Sequence, residues 1–202
     1  MGLPATRDLS NADVAIVGFP FDGGTTYRSG ARFGPRGIRD ASGALRAYTD
    51  SPEEWRPPFT TLRVVDYGDV SLDPHYINES MERAQRAVAE VLKAGVLPVC
   101  LGGDHSLSLA FVRACAGVHG RLSLFLLDAH PEFWETPPER PYTHGSWLRI
   151  AVEEGHVDPR ACFQVGIRGS TSMGILDRVV ARGITVKTAD EVARLGAPAV
   201  LE

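Results

Sequence analysis

The chain has 202 residues, of which 44% are hydrophobic and 23% charged, and its net charge is −4. This is the composition of a globular protein and excludes wholesale disorder, while the acidic balance excludes a broad nucleic-acid surface. No apolar run approaches the roughly 18 residues of a membrane span, so no membrane partner is expected. In chain order, residues 13–18 form a short β-branched run, read as a buried strand. Residues 19–39, rich in Gly and Arg and without a helical period, read as a long ordered loop. A second strand covers residues 61–66. Between His75 and Ala94, the residues Ile77, Met81, Ala84, Val88 and Val91 recur every three or four positions, marking an amphipathic helix that Gly95 ends. Residues 96–101 form a third strand running into Gly102-Gly103-Asp104-His105-Ser106, followed by a helix over residues 107–117. A fourth strand, residues 121–127, ends at Asp128-Ala129-His130. Beyond it come a helix near residues 144–154, a strand at 162–167, a helix near 172–182 and a strand at 184–187. A last helix opens at Thr188, whose spacing from Glu191 is that of a capping box. Pro52, Pro57, Pro58 and the prolines from Pro131 to Pro141 mark loops rather than domain boundaries.

Strands that alternate with helices and are apolar almost throughout imply an α/β domain with a parallel sheet covered on both faces. Cys100, Cys115 and Cys162 form no CxxC pair, and Cys100 in its apolar run reads as an inert buried thiol. Reduced cysteines and the lack of an apolar core in residues 1–10 suggest a cytoplasmic location. Met1-Gly2 with Thr6 fits a loose myristoylation pattern, but Pro4 and the absence of a polybasic neighbour make it a chance match.

Ligands of such sheets bind beyond the carboxyl ends of the strands. Asp22, Asp66, Asp69, Asp104, His105, Asp128, His130 and Glu132 all fall there. In an extended segment, residues i, i+2 and i+4 share a side, so Asp128, His130 and Glu132 can converge, with Pro131 bending their path. Carboxylates and imidazoles together suit an intermediate cation such as Mn²⁺. Plainer roles stay open: Asp104 as a helix cap with His105 packed in the core, and Asp128 capping a turn while His130 bonds a carbonyl.

These residues carry a resemblance. Gly102-Gly103-Asp104-His105-Ser106 and Asp128-Ala129-His130 resemble metal motifs of the ureohydrolases, the arginase and agmatinase family. The stretch from Gly18 to Gly24, the segment from Arg28 to Pro35, Val65-Asp66-Tyr67-Gly68-Asp69-Val70, His144-Gly145-Ser146 and Gln164-Val165-Gly166-Ile167-Arg168 are similar to the agmatinase branch, in the same order. The resemblance implies a three-layer αβα fold with a mostly parallel sheet. It also implies hydrolysis of a primary guanidine, agmatine or a guanidino acid, to urea and an amine at a centre of two Mn²⁺ ions that activate water. Carried over by position, His105, Asp128 and His130 bind metal, with Asp128 between the two ions, and His144 shuttles protons, as suits an imidazole. A helix-terminal histidine without a role is the alternative for His144. A polyamine-metabolism setting and a homo-oligomer are implied by the resemblance alone.

Two departures accompany it. Glu132 stands where the family has Asp; it too offers an oxygen ligand, displaced by about one C–C bond. The family's last metal motif, Ser-x-Asp-x-Asp-x-x-Asp-Pro, has no counterpart, and no Asp-x-Asp pair occurs in the chain. Residues 1–202 are therefore expected to form a single incomplete ureohydrolase domain lacking C-terminal strands, with open strand edges, one metal or incomplete occupancy, and impaired activity. The alternative is a catalytically inactive relative, acting as a non-catalytic partner or a degenerate fragment. Were two metals held, His119, His156 or Asp158 would have to replace the missing pair.

Overall fold

The structure, a computed structural model, describes residues 2–43, 61–169 and 173–201. The expected loop around Pro52, Pro57 and Pro58 lies outside the described residues. Strand β1, Val14–Phe19, is buried along its whole length, as its β-branched composition dictates. It pairs in parallel on one side with β2, Val64–Asp69, and on the other with β3, Leu97–Gly102. A second parallel sheet has the order β4, Leu122–Leu127; β5, Val157–Ile167; β6, Thr185–Thr188. The expected α/β architecture with parallel strands is present.

Strand β2 begins and ends three residues later than expected, placing Asp66 and Asp69 within it rather than beyond it, and three further details depart from the sequence reading. Residues 34–39, expected within a loop, belong to helix α1, Gly34–Ser42. Gly34 and Gly37 depress its helix propensity, yet Pro35 sits near the start, where its missing N–H costs nothing. Second, β5 begins five residues earlier than expected, at Val157, because Asp158, Pro159 and Arg160 hide an extended segment beneath polar residues. Third, the described strands form two three-stranded sheets rather than one. Among the described residues no strand pairs with the outer edge of β3 or β4. In β4, Leu122, Leu124 and Leu126 pack on the core while Phe125 and Leu127 stay exposed, an alternation that an unbroken apolar run conceals.

The helices follow their sequence signals closely. Helix α2, Ile77–Lys93, buries Met81, Ala84, Val88 and Val91. It ends at Gly95, whose φ of 74° suits the left-handed stop. After a short 3-10 turn, His105–Leu107, helix α3, Ser108–His119, packs on α2. Helices α4, Trp147–Glu153, α5, Met173–Ala181, α6, Ala189–Leu195, and α7, Ala197–Leu201, complete the chain. The Thr188–Glu191 capping box at the start of α6 forms as its spacing predicts. One core cluster joins Val17 and Phe19 of the first sheet, Leu148 of α4, and Val157 and Cys162 of the second sheet. Among the described residues no helix is long and apolar enough to cross a membrane.

Candidate metal centre

The carboxyl ends of β3 and β4 face a common point, and the loops leaving them are held by backbone hydrogen bonds. Beyond β1, the buried Asp22 carboxylate pairs with Arg32 and accepts the Gly30 N–H at 2.7 Å, closing a loop. The guanidinium of Arg32 holds Asp22 below the usual carboxylate range despite burial. Asp104, also buried, accepts the Ser106 N–H at 2.8 Å, so the capping role anticipated for it is real. Its other oxygen accepts the N–H of Gly24 at 2.7 Å, tying the β1 loop to the β3 loop. Gly103 allows this approach: a Cβ there would lie 2.2 Å from the Phe21 carbonyl oxygen.

This scaffold places His105. Its Nδ1 lies 3.3 Å from Asp128 Oδ2 and 3.5 Å from Glu132 Oε2. One donor atom from each of His105, Asp128 and Glu132 falls within 4.8 Å of the others. His130 is outside this triad but close to it, with Nδ1 3.8 Å from the other oxygen, Oδ1, of Asp128. The two oxygens of Asp128 thus face different imidazoles. The same Oδ1 accepts the His130 backbone N–H at 3.0 Å, so Asp128 does close a turn as well.

Asp128 and Glu132 do not meet by extended alternation, as the i, i+2, i+4 argument supposed. Glu132 has φ 55°, which turns the chain back. Gln164 donates to the Pro131 carbonyl at 2.9 Å, the Arg149 N–H to the Glu132 carbonyl at 3.3 Å, and the Trp134 N–H to the Gly145 carbonyl at 3.0 Å. The left-handed residue is therefore held from both sides. His144 sits across a cavity of about 390 Å³ whose walls include Thr26, His130, Glu132 and Trp134. Its Nε2 lies 3.2 Å from Thr26 Oγ1. Sequence reasoning missed Thr26 and Trp147; the adjacency of Trp147 to His144-Gly145-Ser146 was the available signal.

Electrostatics follow from burial. Only 4% of Glu132 is exposed, and burial with the charge of Asp128 pushes its carboxyl up to about 8. Burial pushes His105 down, against the attraction of Asp128. Cys100 is only partly buried, yet its thiol is raised to about 12, which keeps it protonated and unreactive as expected. Glu132 Oε2 has no hydrogen-bond partner. An ionised carboxylate so buried calls for a cation, and a His–Asp–Glu donor set fits Mn²⁺ chemically. Among the described residues this is the one such donor group, and His119, His156 and Asp158 do not join it.

Known proteins bear on this arrangement. The chain is 39% identical over 197 residues to proclavaminate amidinohydrolase of Streptomyces clavuligerus, covering 97% of this chain and 62% of the relative. The solved structure of that relative superposes with a TM-score of 0.87 over 96% of this chain and 64% of its own. Guanidinopropionase of Pseudomonas aeruginosa is 37% identical over 203 residues, covering 100% of this chain and 63% of the relative. A Trypanosoma cruzi formiminoglutamase structure with Mn²⁺, 24% identical, shares the fold at a TM-score of 0.86, over 98% of this chain and 67% of its own. The chain thus spans less than two thirds of the first two relatives' length. Since the arginase-family profile matches residues 12–202, nearly the whole chain and all of the loops that build this centre, the chain belongs to the arginase family.

Proposed function

We propose that this chain carries the substrate cavity and most of the metal centre of an agmatinase-like hydrolase, which cleaves agmatine or a guanidino acid to urea and an amine. The observation that carries the reading is the convergence of His105, Asp128 and Glu132, the last of which lines a cavity together with His130 and His144. His105, Asp128 and Glu132 would hold one manganese ion, and His130 with the second oxygen of Asp128 would hold another. Bound manganese supplies a Lewis acid that makes water nucleophilic at neutral pH.

The chain's own residues do the rest. Glu135 on the cavity wall favours a cationic guanidinium. The ring of Trp134 gives that cavity an apolar wall. When water adds to the guanidinium carbon and the C–N bond to the amine breaks, the leaving nitrogen needs a proton. His144, steadied by Thr26, stands within the cavity to deliver it. The donors supply one close triad and one outlying imidazole, which supports impaired turnover by this polypeptide alone. It equally favours the second reading, a non-catalytic relative.

The test is urea release by the 202-residue chain after Mn²⁺ loading, with agmatine, 3-guanidinopropionate and 4-guanidinobutyrate, beside P. aeruginosa guanidinopropionase. We expect metal-dependent urea at least about 100-fold below that relative, the scale by which misplaced groups lower rates, and its loss in His105→Ala. No urea from folded, manganese-bound chain would replace the hydrolase reading with the non-catalytic one.

A further inference from the structure

The three close donors come from two different sheets. His105 follows β3 of the first sheet, whereas Asp128 and Glu132 follow β4 of the second, and among the described residues β3 and β4 do not pair. Something other than the strand ladder must hold the imidazole against the two carboxylates. Trp147, the first residue of α4, stands at this junction and is 2% exposed. Its ring packs on the ring of His105, with centroids 5.0 Å apart and planes inclined at 52°. Its helix also carries Arg149, whose backbone N–H holds the carbonyl of Glu132.

A second observation points the same way. Trp147 Nε1 and Glu132 Oε2 are both buried and both lack a hydrogen-bond partner by distance and angle. Both groups adjoin His105, whose ring packs on the indole and whose Nδ1 lies 3.5 Å from Glu132 Oε2. A buried indole donor without a partner costs free energy unless something draws it into use. A metal held by the triad would fix the Glu132 carboxylate as that partner, as outer groups around metal ligands do.

We propose that Trp147 is a positioning residue of the metal centre, its ring fixing His105 and its N–H completing a hydrogen bond to Glu132 when a divalent cation binds. This rests on the metal-centre reading above and assigns to α4 the task of joining two sheets at their shared ligands. A core residue of the same size would supply the packing but not the N–H. Outer partners of metal ligands are worth about 10- to 100-fold in metal affinity.

The experiment is Mn²⁺ binding to the whole chain, followed by the electron paramagnetic resonance signal of free Mn²⁺, in the parent, Glu132→Gln, Trp147→Phe and Trp147→Ala proteins. Melting curves of the metal-free proteins accompany it. We expect Glu132→Gln to lose the tight site and Trp147→Phe, with an unchanged melting curve, to bind at least about tenfold more weakly. Parental affinity in Trp147→Phe, with binding lost in Glu132→Gln, would overturn the role of Trp147 and leave the metal centre standing. Equal binding in the parent and Glu132→Gln would overturn the metal-centre reading itself. Should the Trp147 variants not fold, the parent answers alone: its Trp147 indole N–H proton resonance must move downfield as diamagnetic Zn²⁺ saturates the chain. An unmoved resonance at saturation overturns the proposal.

Discussion

Glu132 is buried, one of its oxygens is unpartnered, and Asp128 stands close by; each raises the cost of its charge. Without metal, its carboxyl titrates at about 8 in the folded chain against 4.5 when exposed. Below the lower value both states hold the proton and the site costs nothing. As pH rises between the two values, the unfolded chain releases its proton first and stability is lost. Glutamine cannot ionise, so Glu132→Gln should match the parent near pH 4.5 and exceed it by roughly 2–4 kcal/mol at pH 8 without metal. Mn²⁺ at a thousandfold excess over Kd should close or reverse this gap, because about 4 kcal/mol of stabilisation reaches only the parent. Chemical denaturation at the two pH values, with and without Mn²⁺, checks both signs. A carboxylate at this position was readable from the sequence, but its left-handed backbone was not. That conformation comes from hydrogen bonds to Gln164 and Arg149, more than fifteen residues away.

Where an element's ends depend on neighbouring residues, the sequence announced them: Thr188 with Glu191, Asp104 with Ser106, and the stripe ended by Gly95. Where tertiary context decides, as for α1 with its two glycines, local propensity misled. The two caps differ in reach, and that sets a testable contrast. Thr188→Ala removes one exposed-helix cap and should cost about 1 kcal/mol, with no effect on metal binding. Asp104→Ala strands the N–H groups of both Gly24 and Ser106 and releases the turn that carries His105. It should cost about 2–4 kcal/mol and also weaken Mn²⁺ binding. Denaturation midpoints together with metal titration separate a cap that only ends a helix from one that also builds the site. Equal losses in the two variants would refute the contrast.

The two sheets meet through side chains and helices, and among the described residues the unpaired strands β3 and β4 expose large apolar side chains. Leu97 of β3 is 61% exposed and Leu127 of β4 71%, with Val99 and Phe125 also open beside them. Among the described residues no strand covers the outer edge of β3 or β4, so each can pair with another chain. The family resemblance anticipated open edges; their location on β3 and β4 needed the pairing pattern, because a continuous apolar strand does not reveal which neighbour it lacks. The chain is therefore expected to self-associate in a concentration-dependent way through these edges. Leu97→Lys with Leu127→Lys places a charge on each edge, the device by which soluble sheets keep edges apart. Both side chains are mostly solvent-exposed, so the melting temperature should hold within the change of about 0.5 kcal/mol usual for surface positions. Sedimentation velocity across a hundredfold concentration range should show parent oligomers and a doubly substituted monomer. A parent that stays monomeric throughout would mean that the exposed leucines are shielded in solution by a closure of the two sheets. In that case the double lysine variant would lower stability instead of association, and the same pair of measurements would show it.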